Sequence, residues 1–260
     1  MAFPSPRNTR DCRSVWFPGV NDPGSLDYIE QILAGTSGLI VGSGIASVWH
    51  WDPADLAARA DRLFAAHGGR FILGLGASHA PVVESIGQRY AKPYTKTAEF
   101  VGALPAMSAP VVLAALGPRM LKLAASKTAG AHPYFTPPEH TKTARETLGA
   151  APLLLPEIAV ALAPGEEGQA QARAYAKFYL QLPNYTNNLR TFGFGDADIT
   201  GASERLLNAV VPNGTDAAVA RVREHLDAGA DTVLVQLLGP DGKFAVGDLG
   251  RLSSLLGDLL

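Results

Sequence analysis

The sequence has little of the material that several classes of protein require. Cys12 is the only cysteine in 260 residues, which excludes an internal disulfide framework or a thiolate metal cluster and favours a reducing cytoplasm. No apolar run of about 18 residues is present to span a membrane, and no apolar signal core begins the sequence. Long basic blocks are also lacking and the net charge is −2, so nucleic acid is not an expected partner.

What the sequence does contain is a regular alternation of short apolar runs and helical patterns. Hydrophobic residues make up 47% and charged residues 18%, which is typical of an enzyme with a large core. Apolar strands that are each followed by a helix predict a parallel sheet covered on both faces. The seven predicted strands are Ser14–Phe17, Leu39–Ile45, Phe71–Leu75, Val111–Ala115, Gly130–Pro133, Leu153–Ala161 and Thr232–Leu238.

Seven strand–helix units indicate an α/β fold of the TIM type, the (β/α)₈ barrel, whose usual size is about 250 residues. Residues 1–13 are too polar and too rich in proline to supply the eighth unit, so we expect the first unit to be missing or truncated. We expect one domain over residues 1–260, with an insertion at 183–214 that could act as a lid or substrate loop. An open doubly wound sheet is the alternative.

A glycine-rich segment follows the third predicted strand. Gly74 and Gly76 would let a ligand approach the backbone closely, and Ser78 and His79 place polar groups at the same strand end. Pro81 and Gly87 predict that the chain stays in a loop until about residue 93, which separates the segment from a dinucleotide-binding fingerprint. The segment is either a ligand site above a parallel strand or a glycine-rich turn without a ligand.

Caps and turns predict where several helices begin. Asp52 is a good N-cap before Pro53, and Thr136 has the same role in a predicted capping box. The turn Leu116–Arg119 leads from a strand into a helix at Pro118, where free amides and the helix dipole suit a phosphate. A plain strand–helix turn is the alternative. The acidic pair Glu166 and Glu167 fits a helix first turn, and we expect the helical histidines His67, His140 and His225 to be solvated.

Five segments in order resemble one known family. They are Val41–Pro53, Gly69–Pro81, Leu116–Ala124, Ala131–Tyr134 and Leu182–Leu189. The chain resembles the luciferase-like flavin and deazaflavin oxidoreductases, and more narrowly their actinobacterial subgroup that depends on coenzyme F420. The resemblance implies hydride transfer between F420 and a small organic substrate. An FMN-dependent monooxygenase is the alternative within that family, and an inactive truncated relative is a third reading. A homodimer is a further expectation.

The resemblance also implies roles for individual residues. It gives His79 a catalytic role as proton donor or hydrogen-bonding group, and it places a bulge with a cis peptide at Gly44 and Ile45. No metal ligand is implied. The implied cofactor-binding residues are Gly44, Ile45, Ala46, Gly76, Ala77, Ser78, Leu116, Gly117, Pro118 and Arg119, and the implied substrate-pocket residues are Trp49, His132 and Tyr134.

Overall fold

A computed structural model of the chain describes residues 14–163 and 165–239. Its strands, in chain order, are β1 (Ser14–Phe17), β2 (Ile40–Ser43), β3 (Ala46–Ser47), β4 (Phe71–Gly76), β5 (Val111–Leu113), β6 (Gly130–Ala131), β7 (Leu153–Leu154), β8 (Glu157–Ala161) and β9 (Leu234–Leu238). Its helices are α1 (Pro23–Ala34), α2 (Pro53–Ala66), α3 (Ala80–Ser85), α4 (Pro93–Ala103), α5 (Pro118–Lys127), α6 (Pro138–Leu148), α7 (Gly165–Tyr179), α8 (Pro183–Thr191), α9 (Asp196–Gly201), α10 (Glu204–Val210) and α11 (Thr215–Asp227). The closing helix expected around Leu249–Leu259 lies outside the described residues.

The described residues divide into two compact units. The first unit takes residues 14–134 and 143–155, and the second takes 135–142 and most of the chain from 156 onward. The first unit contains a curled parallel sheet with the strand order β1-β2-β4-β5-β6-β7, and β3 pairs with β4 beside that path. The second unit contains the parallel pair β8 and β9.

Two layers of apolar side chains enclose the sheet of the first unit. Leu73 and Leu75 of β4 pack with Leu56 and Leu63 of α2 in the larger core cluster. Ile72, whose side chain points to the opposite face of β4, belongs instead to a smaller cluster with Trp16, Val112 and Leu155. Strands that are apolar on both faces are the expected signature of a parallel sheet, and the predicted α/β class is confirmed.

The described strands form only part of the predicted barrel. Within the described residues the strands form two sheets, one of seven strands and one of two, so a complete eight-stranded barrel is not established. The predicted strand Leu153–Ala161 is wrong as a single element. It consists of β7 and β8, which lie in different sheets, because Pro156 lacks the N–H that would continue a ladder.

The predicted loop after the glycine-rich segment is also wrong in part. Residues 80–85 form the short helix α3, in which Pro81 occupies the first turn. Proline is compatible with that position because a first-turn N–H has no intrahelical acceptor. Gly87, with a φ of 76°, then follows the helix. The segment 183–214 likewise contains three helices, α8, α9 and α10, between β8 and β9.

Three predicted side-chain environments need correction. Thr136 does not cap a helix, because α6 begins two residues later and the Thr136 hydroxyl is buried without a hydrogen-bond partner among the described residues. His140 and His225 are buried rather than solvated, with exposed fractions of 1% and 0%. The Asp52 cap is confirmed, since its carboxylate accepts from the N–H groups of Ala54 and Asp55.

One property of the described helices bears on membranes: none is both long and apolar enough to cross a bilayer.

Candidate active site

Ser43 and Gly74 join the neighbouring strands β2 and β4 at the core of the first unit. The Gly74 N–H donates to Ser43 Oγ over 2.8 Å, and that hydroxyl donates to the Gly74 carbonyl over 3.0 Å. A Cβ on residue 74 would clash with the Ser43 carbonyl oxygen. Glycine is therefore required at this position for close backbone approach rather than for a positive φ.

The chain bulges immediately after β2. The peptide bond between Gly44 and Ile45 is cis. The Gly44 N–H donates to the Phe17 carbonyl over 2.8 Å, and the Ile45 carbonyl accepts from the Val20 N–H over 3.2 Å. These hydrogen bonds attach the bulge to the segment that follows β1.

The Ile45 side chain lies against the end of β4. A Cβ built on Gly76 would be 3.1 Å from Ile45 Cδ1 and 3.0 Å from the Ala114 methyl group. The structure therefore brings Gly44, Ile45 and Gly76 together, and a side chain at residue 76 would push the Ile45 side chain away. Ala46 continues into β3, which pairs with β4 in register with Leu75.

Trp49 covers the next part of the same strand edge. Its indole Nε1–H donates to the Ala77 carbonyl over 2.8 Å. The Tyr90 ring lies 5.7 Å from the Trp49 ring, and Lys96 Nζ lies 5.5 Å from it. Tyr90 also donates its hydroxyl to the Ser78 carbonyl over 3.3 Å. Sequence reasoning did not identify Tyr90 and Lys96, because both lie in a segment read as loop and helix surface.

His132 follows β6 and is almost fully buried. Its Nδ1 lies 2.8 Å from the Leu155 carbonyl oxygen, which can only accept, so the hydrogen is on Nδ1. In the neutral ring Nε2 is then the acceptor nitrogen, and it lies 3.5 Å from a Cβ built on Gly44. His132 therefore belongs to the same strand edge as the bulge. Tyr134, two residues later, is half-buried.

Trp16 is a further site residue that the sequence analysis did not identify. Its ring lies 4.7 Å from the His132 ring with an interplanar angle of 33°. A Cβ on Gly42 would lie only 2.5 Å from the indole, so the ring packs directly on the bare backbone of β2. The available signal was the pairing of an aromatic residue in one strand with glycines in the neighbouring predicted strands.

His79 lies three residues beyond β4, at the N-cap position of α3, and is half-buried. Burial lowers the pKa of its imidazole below the usual 6.5. The ring is consequently neutral near pH 7, and in that form it can accept a proton or donate a hydrogen bond. The preceding Ser78 has a φ of 56°, which turns the chain sharply between β4 and this histidine.

The turn Leu116–Arg119 leads into α5 as predicted. Gly117 is the N-cap, Pro118 begins the helix, and a Cβ on Gly117 would meet nothing within 4 Å. Arg119 stacks over the Tyr94 ring at 4.0 Å. The Met120 N–H donates to the Gly117 carbonyl and Pro118 has no N–H, so the turn offers fewer amides to an anion than its sequence suggested.

Comparisons with known proteins give a match to one family model over part of the chain and a set of similar folds. The sequence model of the family described as luciferase-like monooxygenase matches residues 31–109. No curated protein sequence matches the chain.

Three solved structures illustrate the similarity of fold. The F420-dependent tetrahydromethanopterin reductase of Methanopyrus kandleri superposes with a TM-score of 0.70 at 17% identity, covering 95% of this chain and 90% of that one. An F420-dependent secondary alcohol dehydrogenase, in complex with an F420–acetone adduct, has a TM-score of 0.70 at 14% identity and coverage of 96% and 90%. The oxygenating constituent of 3,6-diketocamphane monooxygenase of Pseudomonas putida, in complex with FMN, has 0.64 at 12% identity and coverage of 94% and 86%.

Identities this low show the fold of the chain and nothing finer. All three structures are nevertheless oxidoreductases by their descriptions, and the family model is that of a monooxygenase. This agreement supports an enzyme, and it supports the luciferase-like part of the sequence resemblance.

Proposed function

We propose that this protein is an oxidoreductase that transfers a hydride between coenzyme F420 and a small organic substrate. The observation that carries this proposal is the bare strand edge at Gly44 and Gly76 beside Ile45, in a fold shared with two F420-dependent enzymes at a TM-score of 0.70. The choice of F420 over FMN comes from the sequence resemblance. The five sequence segments of the F420-dependent subgroup lead to the same proposal independently, and they favour its actinobacterial branch. We infer a barrel of the (β/α)₈ type and a homodimer from the same resemblance, and a cytoplasmic location from the single cysteine.

The residues of the first unit fit a flat ring with an anionic tail. Gly44 and Gly76 present backbone without side chains at one strand edge, and a Cβ at either position would come within 3.5 Å of a neighbouring side chain. The space beside Gly117 is open, and Arg119, two residues further along the same turn, carries a positive charge over the Tyr94 ring. We assign the ring to Gly44, Ile45, Ala46, Gly76, Ala77 and Ser78, and the phosphate-bearing tail to Leu116, Gly117, Pro118 and Arg119.

Bound F420 would supply the acceptor or donor of the hydride. The protein must then handle the proton that accompanies the hydride, and His79 is the residue we assign to it. A neutral imidazole can take a proton from a substrate hydroxyl during oxidation and return it during reduction. Trp49, His132 and Tyr134 would orient the substrate and exclude water from the reacting atoms.

The proposal is tested by cofactor titration of the purified protein. Binding of F420 is followed by the quenching of deazaflavin fluorescence, and binding of FMN by flavin fluorescence and by the yellow colour of the isolated protein. We expect saturable binding of F420 at micromolar concentration and weaker binding of FMN. A well-folded sample that binds neither compound would overturn the proposal and favour the inactive relative.

An FMN-dependent monooxygenase is the second candidate. It is favoured by the description of the matching family model and by the FMN bound in one structure of the same fold. The two candidates differ in what they consume, because a monooxygenase takes up dioxygen. Oxygen uptake in the presence of reduced FMN, combined with preferential FMN binding, would establish the second candidate in place of the first.

A further inference from the structure

The half-buried indole of Trp16 packs against two strand positions that carry no side chain. Gly42 on β2 and Gly74 on β4 are the residues beneath it. A Cβ on Gly42 would lie 2.5–2.7 Å from three atoms of the indole, and one on Gly74 would lie 3.3 Å from Cζ3. Two neighbouring strands therefore leave their backbone bare where this one ring packs.

The Trp16 ring also lies next to the bulge at Gly44 and Ile45. The Trp16 Cβ and Cε3 atoms lie 3.8 Å from a Cβ built on Gly44, and the His132 ring lies beside the indole. The hydrogen bond from His132 Nδ1 to the Leu155 carbonyl fixes the second ring in place. Trp16 thus presents a partly exposed ring directly next to Gly44, with the almost fully buried His132 ring packed behind it, and we call this pair the ring floor.

We propose that the ring floor binds one face or edge of a planar heteroaromatic ligand, and that Trp16 sets how deeply this ring enters the first unit. The inference rests on the proposed function for the identity of the ring, which is the deazaflavin. Aromatic surfaces prefer offset-stacked or edge-to-face partners, and a fixed ring loses little conformational freedom on binding. Trp16 would therefore contribute affinity for the ring part of the cofactor and none for its tail.

The test separates the ring of the cofactor from its tail. Two ligands are titrated: F420, and the deazaflavin riboside that lacks the phosphate-bearing tail. Wild type, Trp16→Leu and Arg119→Ala are compared. Loss of a base stacked on an aromatic side chain costs about 1–3 kcal/mol in other ring-binding sites, which corresponds to a factor of about 5–150 in affinity. We expect Trp16→Leu to weaken both ligands by the same factor, about tenfold.

Arg119→Ala is expected to weaken F420 and to leave the affinity for the riboside unchanged. Phe64→Leu is the matched control for loss of a large aromatic ring. Phe64 lies on α2 in the same unit, packs against the larger core cluster beside Gly69, and belongs to none of the residues assigned to the cofactor or the substrate. This control should lower the melting temperature of the free protein without changing the affinity for either ligand.

If Trp16→Leu does not fold, Trp16→Phe serves instead, because it retains an aromatic ring of smaller area. We then expect an equal loss of about threefold for both ligands. Unchanged riboside affinity in a folded Trp16 variant, with wild type binding both ligands, would overturn the ring floor and leave the proposed function standing. Failure of wild type to bind either ligand would overturn the proposed function and the ring floor together.

Discussion

At the scale of single residues, His79 is the side chain whose protonation state matters most for the proposed reaction. Burial lowers the pKa of His79, so the imidazole is neutral at pH 7 and becomes charged only below its ordinary range. A neutral histidine is the form that can accept a proton from a substrate hydroxyl. The lowered pKa therefore favours the substrate-oxidising direction at neutral pH.

We predict that His79→Ala lowers turnover about 10²- to 10⁴-fold, the usual contribution of a general acid or base, with little change in F420 affinity. In wild type, turnover in the oxidising direction should fall as the pH drops below 6.5 and His79 becomes protonated. The measurements are kcat against pH and cofactor titration. His79→Gln retains a hydrogen-bonding group but cannot titrate, and it should lose that pH dependence. A tenfold weaker cofactor affinity with unchanged turnover would instead make His79 a binding residue.

Arg70 is a single side chain that forms hydrogen bonds with several separate segments of the chain. Its guanidinium donates to the carbonyl groups of Leu33, Leu39 and His67 over 2.7, 2.9 and 3.1 Å, and to the Thr36 hydroxyl over 3.2 Å. Hydrogen bonds to a charged group contribute about 1.5–3 kcal/mol, and loss of Arg70 removes one donor from each of three carbonyls.

We predict that Arg70→Ala lowers the free energy of unfolding by about 2–3 kcal/mol, as measured by urea denaturation. Arg62→Ala is the matched control, because Arg62 donates to a Glu30 carboxylate on the exposed surface. Loss of this surface ion pair should cost less than about 1 kcal/mol. Equal effects of the two substitutions would show that the Arg70 hydrogen bonds do not stabilise the fold more than a surface pair does.

Residue environments were less predictable than residue positions. His140 and His225 lie on helices, where a polar side chain is expected to face solvent, yet both are buried. The reason is a tertiary partner: His225 Nδ1 lies 2.7 Å from the Thr141 hydroxyl, 84 residues away in sequence. Trp16 was missed for a similar reason, since the glycines beneath it belong to other strands. Long-range pairing of this kind leaves no local pattern.

At the scale of elements, local signals predicted the starts of α2 and α5 correctly. Asp52 caps α2, and Pro118 begins α5 after an extended Gly117. These signals are reliable because the cap or the proline acts on the helix it begins. The errors arose where proline was read only as a breaker, as at Pro81 in α3, or where its effect was overlooked, as at Pro156 between β7 and β8.

Gly102 offers a test of local propensity within an element. It lies in α4, and a Cβ there would meet nothing within 4 Å. We predict that Gly102→Ala raises the free energy of unfolding by about 0.5–1 kcal/mol, because alanine restricts the unfolded chain and suits a helix. Gly68→Ala is the matched control. Its Cβ would also meet nothing, but its φ is 64°, so this change should be destabilising. Thermal unfolding of both variants measures the direction of each change in stability. A shift of the melting temperature in the same direction in both variants would contradict this prediction.

At the scale of the whole molecule, the sequence predicted the α/β class and the order of most elements. It did not predict the division of the described strands into two sheets, because sheet membership depends on pairing between distant segments. The seven site residues from Gly44 to His79 that the resemblance implied for cofactor and catalysis all lie at or just beyond strands of the first unit. The carboxyl ends of parallel strands gather at one edge, which is why the position of these residues was predictable, while their roles stay predictions.

The stability of the whole molecule should depend on pH through a histidine far in sequence from this site. His225 is fully buried in the second unit, and burial, together with Arg221 and His140, lowers its pKa to about 3. The unfolded chain binds a proton at this residue below its ordinary pKa of about 6.5, while the folded protein does not. Stability therefore falls as the pH drops from about 6.5 towards 3, with a slope of up to about 1.4 kcal/mol per pH unit, and is unaffected by this group above that range.

Urea unfolding followed by circular dichroism measures the effect. Tryptophan fluorescence is less suitable, because the three tryptophans all lie in the first unit. His225→Gln retains a hydrogen-bonding group for Thr141 without titrating, and it should flatten the profile between pH 6.5 and about 4.5, where most carboxylates remain ionised. An identical slope in the variant would assign the acid sensitivity to other groups.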